Sequence, residues 1–266
     1  MIGFHIMPMI DAGGCLLNVS VEGRDGGPTL MLSNPLGTTL QVWEPQMAAL
    51  TKLYRVIRYD RRGHGKSGTP PGPYSIVDFG RDALAILDDL NITRTHWCGL
   101  SIGGAVGQWI ASNAPERIDR LILANTTCHV ADPARWHARI KAVTESGLDA
   151  IADGIIAGWF TEEFREREPQ TVARIRAMLV SNPAAGYAAC CSALAELDLR
   201  DALPRIKART LVIAGRYDAS SPLQMAATIR AGIPGASLTI FDAAHVSNVE
   251  TPYGFNEALT GFLTQR

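Results

Sequence analysis

Thr95-His96-Trp97-Cys98-Gly99-Leu100-Ser101-Ile102-Gly103-Gly104-Ala105 is the stretch on which the reading of the whole chain turns. Its first four residues suit a buried strand, and the run from Ala105 to Asn113 carries a helical pattern. Between them, Gly99 to Gly103 has the form G-x-S-x-G in the strand-to-helix context that this motif requires. So sharp a turn strains the serine and brings neighbouring backbone so close that only glycine fits at its flanks. The helix that follows aims its N-terminus at the serine and favours negative charge developing there. The pattern predicts a nucleophile at Ser101.

Outward from this turn, short β-branched runs alternate with amphipathic stretches. Candidate strands cover 16–21, 29–33, 54–59, 95–98, 118–124, 210–214 and 237–241. Repeated strand–helix–strand order implies an α/β fold with a mainly parallel sheet and helices on both faces. In the helix expected over 78–90, Phe79, Ala83, Ile86, Leu87 and Leu90 form one apolar face, while Asp78, Arg81, Asp82 and Asp88 are expected to point elsewhere. The alternation stops between about 129 and 200, where apolar residues recur at helical spacing with almost no strand pattern. Pro133, Pro169 and Pro183 stand near the helix starts, where a missing N–H costs nothing. These features predict a core of residues 1–128 and 199–266, with an insertion of about four helices over 129–198 as a lid.

A serine hydroxyl is a weak nucleophile and needs a base, which in turn needs an orienting acid. Asp218 follows the apolar run Leu211 to Gly215 by one loop, and His245 follows Leu238 to Phe241 in the same way. The carboxyl ends of parallel strands gather on one edge, where ligands bind. Asp242 is a rival acid, but three residues from His245 on one loop it could not easily sit behind the imidazole. His64, in Asp60-Arg61-Arg62-Gly63-His64-Gly65-Lys66-Ser67, is a rival base whose turn-rich setting suits a loop-shaping role better. Asp60 is expected to tie down that turn. The attacked carbonyl becomes an oxyanion that two backbone N–H groups must face. One is expected from Ile102, next to the nucleophile. The other is expected from Asn34-Pro35-Leu36-Gly37; Pro35 has no N–H, so Leu36 ranks first and Gly37 second.

The bulk properties narrow the function further. The chain has 266 residues, 47% of them apolar and 19% charged, with a formal net charge of −1 and both signs interspersed, which leaves no basic patch for nucleic acid. No apolar run approaches a membrane span. Met1 to Ile10 lacks a basic n-region and a small-residue cleavage site, so a cytoplasmic enzyme is the expectation. Cys15, Cys98, Cys128, Cys190 and Cys191 lack metal-binding spacing and are expected to be reduced and mostly buried. Neither a nucleotide fingerprint nor a metal-ligand cluster is visible, so no cofactor and no metal are expected.

On Asp60 to Ser67, Gly99 to Gly103, Asp218 and His245 the chain resembles the α/β-hydrolase superfamily over essentially its whole length. More narrowly, it resembles the 3-oxoadipate enol-lactonases of the aromatic-degrading β-ketoadipate pathway. That likeness rests on Leu32 to Thr38, Trp43 to Gln46, Cys98 to Ser101, Ala124 to Thr126 and Ala244 to Glu250. The superfamily's common His-Gly before the oxyanion residue is here Asn34-Pro35, and Ser is usual in the lactonases where Pro35 stands. The resemblance implies an eight-stranded, mostly parallel sheet and an acyl-enzyme route for a small lactone or ester. It also implies lid residues Trp136 and Arg139 that contact the substrate. Arginine suits a free carboxylate because its planar fork binds bidentately. Alternatives on the same fold are a broad short-chain carboxylesterase, a carbon–carbon bond hydrolase and a ligand sensor. Dehalogenase or epoxide hydrolase is disfavoured, because those use Asp where Ser101 stands.

Overall fold

In the computed structural model, which describes residues 4–265, nine strands form the sheet. They are β1 (Phe4–Ile6), β2 (Met9–Asp11), β3 (Leu16–Gly23), β4 (Thr29–Ser33), β5 (Arg55–Tyr59), β6 (Thr95–Leu100), β7 (Ile118–Ala124), β8 (Arg209–Gly215) and β9 (Ser237–Phe241). Their order is β1-β3-β5-β4-β6-β7-β8-β9, with β2 also against β3. From β5 to β9 every pairing is parallel, whereas β3 runs antiparallel to its neighbours.

The first two strands share one register. Phe4 to Ile6 pair with Gly23 to Val21, and Met9 to Asp11 continue opposite Asn18 to Leu16. Pro8, which has no N–H, interrupts the ladder but still accepts a hydrogen bond from the Val19 N–H. The sheet therefore has the eight positions that the resemblance implied, with its antiparallel edge broken in two. The N-terminal stretch, read from sequence only for targeting signals, supplies that edge; Met1 to Gly3 lie outside the described residues.

The helix expected over 78–90 spans Ile76–Asp89, held at its start by a reciprocal capping box between Ser75 and Asp78. Phe79, Ala83, Ile86 and Leu87 are buried as expected. Asp82 is not on the solvent face. It is buried and takes a two-pronged ion pair from Arg62, at 2.6 and 2.7 Å. Burial pushes its carboxyl pKa up against the opposing pull of Arg62. Helical spacing alone could not reveal that partner, because Arg62 arrives from the loop after β5.

Between β7 and β8 the chain forms five α-helices rather than about four: Ala134–Ser146, Asp149–Trp159, Glu162–Arg167, Pro169–Val180 and Ala184–Ala195. The additional one is the short helix capped by the Thr161 side chain and ended ahead of Pro169. This helical segment reaches the loop after β4. The Asn182 amide donates to the Gly37 carbonyl at 3.0 Å, and Leu179 and Tyr187 crowd the space a Gly37 side chain would fill. Gly37 itself has φ +78, which favours glycine independently. All five cysteines are free and buried. Among the described residues no helix is long and apolar enough to cross a membrane.

Candidate active site

The sheet order β4-β6-β7-β8-β9 sets five loops side by side at the carboxyl edge. They carry, in sequence, Leu36, Ser101, Asn125, Asp218 and His245. Strand β6 is buried along its whole length and ends at Ser101, which has φ 58 and ψ −122. A non-glycine residue at such angles is strained, by about 1–3 kcal/mol. The strain persists because the surroundings over-determine it. The Ser101 N–H donates to the Ala124 carbonyl at 2.9 Å, and the Thr126 hydroxyl donates to the Ser101 carbonyl at 2.6 Å. A Cβ at Gly99 would strike the Gly103 backbone, and one at Gly103 would strike Ser33. Helix Ile102–Asn113 begins directly after the serine.

His245 Nδ1 lies 2.9 Å from Asp218 Oδ2, both residues buried. The carboxylate is saturated. Its Oδ1 accepts the Ser220 and Ser221 N–H groups at 2.8 and 2.9 Å, and Oδ2 also accepts the Asn125 amide at 3.0 Å. Burial alone would raise the Asp218 pKa, but the histidine and these donors outweigh it and leave the carboxyl below its ordinary value. Asp242 is excluded from this position. It faces solvent, where Arg216 donates to it at 2.6 Å. Ser101 and His245 line one cavity. The two are not hydrogen-bonded to each other, and in nucleophile–base pairs that bond often tightens only in the substrate complex.

Leu36 and Ile102 line the same cavity, and neither backbone N–H has a protein acceptor among the described residues. His64 sets Leu36 and Gly37 apart. The Gly37 N–H donates to His64 Nε2 at 2.9 Å, which leaves the Leu36 N–H as the free donor of that loop. His64 is fully buried, and desolvation together with the nearby Arg61 charge lowers its pKa to about 3. It stays neutral and accepts from Gly37, so it shapes the loop and is unsuited to be the base. Asp60 ties down its turn, accepting from Asn18, Lys66 N–H and Leu40 N–H at 2.8–3.0 Å.

On the opposite wall, helix Ala134–Ser146 sends Arg135, Trp136 and Arg139 to the cavity. Both guanidinium carbons lie 5.1 Å from the Trp136 ring centroid. Partial desolvation and the like charge of Arg139 lower the Arg135 pKa. Neither arginine forms an ion pair among the described residues. The buried Trp136 Nε1–H likewise has no hydrogen-bond partner there. Two cations that lack an ion-pair partner among the described residues, one of them also meeting the Tyr187 hydroxyl, and an idle donor therefore face one cavity.

The profile of the α/β hydrolase fold family matches residues 28–252. The chain belongs to the α/β-hydrolase family. It is 41% identical to 3-oxoadipate enol-lactonase 2 of Acinetobacter baylyi, over 96% of each chain. The crystal structure of the enol-lactonase from Burkholderia xenovorans LB400 superposes with a TM-score of 0.95 at 39% identity, covering 97% of this chain and 100% of that one. The putative carbamate hydrolase RutD of Caulobacter segnis is 31% identical, over 91% of this chain and 92% of its own. The likeness to enol-lactonases read from the motifs thus extends over 96–97% of the chain.

Three positions in and around the candidate site of this α/β-hydrolase escaped sequence reasoning. Arg135 carries a signal that could have found it, because residues four apart on a helix are neighbours and Arg139 was already placed. Asn125 sits at φ 45 and links Asp218 and the Ala244 carbonyl through its amide N–H groups, while its carbonyl accepts the Ser247 hydroxyl. Glu250 reaches back to the Ala244 N–H at 2.8 Å. Neither role has a sequence signature, because each joins loops brought together only by the sheet.

Proposed function

We propose that this hydrolase opens a small lactone that carries a free carboxylate, most specifically 3-oxoadipate enol-lactone to 3-oxoadipate, through an acyl-enzyme on Ser101. The observation that carries the reading is one cavity holding Ser101 and the Asp218-oriented His245 on one wall and, on the other, two arginines with no ion-pair partner among the described residues.

His245 Nε2 takes the Ser101 proton as Oγ adds to the lactone carbonyl. The Leu36 and Ile102 N–H groups receive the oxyanion, at the mouth of the helix that starts at Ile102; one such donor contributes about 10²–10³ in rate. Collapse breaks the ring C–O bond, and the departing enol oxygen takes the proton from His245. That oxygen stays tethered and could re-close the ring until the enol becomes a ketone. Water then gives its proton to His245 and attacks the acyl carbon, releasing the carboxylate and returning the proton to Ser101. Throughout, Asp218 holds the imidazole through Nδ1 and stabilises its cationic form. The arginine pair with the Trp136 N–H supplies charge-assisted donors for the substrate's carboxylate, at the end remote from the reacting carbonyl. A neutral ester would leave both cations unmatched.

The test is a comparison of kcat/KM for the enol-lactone and for a neutral aryl ester of similar size. The enol-lactone is expected to be preferred by at least about 100-fold, the worth of two charge-assisted contacts. Equal values would replace the lactonase reading with a broad carboxylesterase.

A further inference from the structure

The loop that carries His245 is held on both sides by the junction between the second and third inserted helices. On one side the Val246 N–H donates to the Trp159 carbonyl at 3.1 Å. On the other, Glu250 is the bridge. Its Oε2 accepts the Ala244 N–H at 2.8 Å, while its Oε1 accepts the Thr161 N–H at 3.1 Å and the Thr161 hydroxyl. Glu250 is 7% exposed, and among the described residues no cation is a partner of it. Burying a carboxylate on neutral donors alone is costly, so the three donors must be closely placed to keep it there. Trp159, two residues before Thr161, also lines the cavity that holds Ser101 and His245.

We infer that Glu250 is a positioning residue that couples the inserted helices to the base, setting the His245 backbone according to where the Trp159–Thr161 segment lies. This inference rests on the serine-hydrolase reading above. Asp218 fixes the imidazole from the sheet side through Nδ1, so the remaining freedom of the ring is that of its own backbone. Glu250 and Trp159 grip that backbone at residues 244 and 246. A substrate pressing on Trp159 thereby bears on the approach of Nε2 to Ser101 without touching the histidine.

The carboxylate is an acceptor on both oxygens, whereas an amide has one acceptor and two donors, so Gln at 250 sets an NH₂ against an N–H. Glu250→Gln is expected to lower kcat about 10- to 100-fold, as loss of a charged hydrogen-bond link would, with KM within about threefold. Thr161→Val, which removes only the hydroxyl donor, should lower kcat about 3- to 10-fold, and Thr161→Ser should restore it to within about twofold. These values are measured on both the enol-lactone and the aryl ester, with urea denaturation run alongside. A Thr161→Val protein that loses stability but keeps kcat overturns the positioning role, as does a folded Glu250→Gln protein with kcat within twofold of wild type. If Glu250→Gln does not fold, the Thr161 pair decides. A wild type inactive on both substrates overturns the serine-hydrolase reading, and the Glu250 role falls with it.

Discussion

The two walls of the cavity are built on different principles. On the sheet side, Asp218 and His245 sit on loops that follow adjacent parallel strands, and every oxygen of the carboxylate has donors. On the helical side, Arg135, Trp136 and Arg139 ride on one helix of which Val143 is the one buried residue; among the described residues neither arginine has an ion-pair partner, and the Trp136 N–H has no acceptor. The saturated wall is pre-organised: its dipoles point where charge develops and need no rearrangement during reaction. The other wall, on the proposed function, is completed by the substrate's carboxylate. On the proposed function, chemistry falls to the sheet and selection among substrates to the inserted helices.

Substitutions on the two walls should separate cleanly. Ser101→Ala is expected to lower kcat by about 10⁴-fold or more on every substrate, with the fold retained by circular dichroism; full turnover would remove the sheet wall from catalysis. Asp218→Asn keeps the shape but loses the charge and presents a donor to His245, so a fall of about 10³–10⁴ in kcat is expected, again on charged and neutral substrates alike. On the helical wall the effect should be smaller and selective. Arg135→Met and Arg139→Met are each expected to cut kcat/KM for the enol-lactone about 10- to 100-fold, leaving the neutral aryl ester within about threefold. Parallel losses on both esters would erase the contrast between the walls.

The smallest effect concerns the support beneath the oxyanion loop. His64 takes up its proton near pH 3 in the fold, against about 6.5 in the unfolded chain. Unfolding therefore binds a proton between those values. Its contribution to stability is complete above about pH 6.5 and is lost as pH falls toward 3, at no more than about 1.4 kcal/mol per pH unit. His96, lowered by its own burial against the pull of Asp119, acts in the same direction. Urea denaturation of His64→Gln at pH 7, 6 and 5 should give a shallower loss than wild type; an identical slope would show that the imidazole is not buried as described.

Much of the sheet wall was legible because its signals are local. The G-x-S-x-G turn needs small residues at fixed offsets, and parallel strands announce their ends by the apolar runs that precede them. That logic placed Ser101, Asp218 and His245 at one edge and ranked Asp218 above Asp242. The N-terminal edge strand was not read, because Pro8 splits it into pieces too short to show a period. Asp82 was misplaced because its partner Arg62 comes from another loop.

By itself the sequence determined the chain's periodicities, its glycine-enforced turn and the order of chemically able residues along it, since each depends on neighbours within a few positions. Only the tertiary structure decided which N–H of the Asn34–Gly37 loop stays free, which second arginine joins Arg139, and how Asn125 and Glu250 knit separate loops together. Those outcomes depend on hydrogen bonds and charges meeting across long sequence separations, where the partner is chosen by the packing of the sheet and its inserted helices rather than by any local pattern.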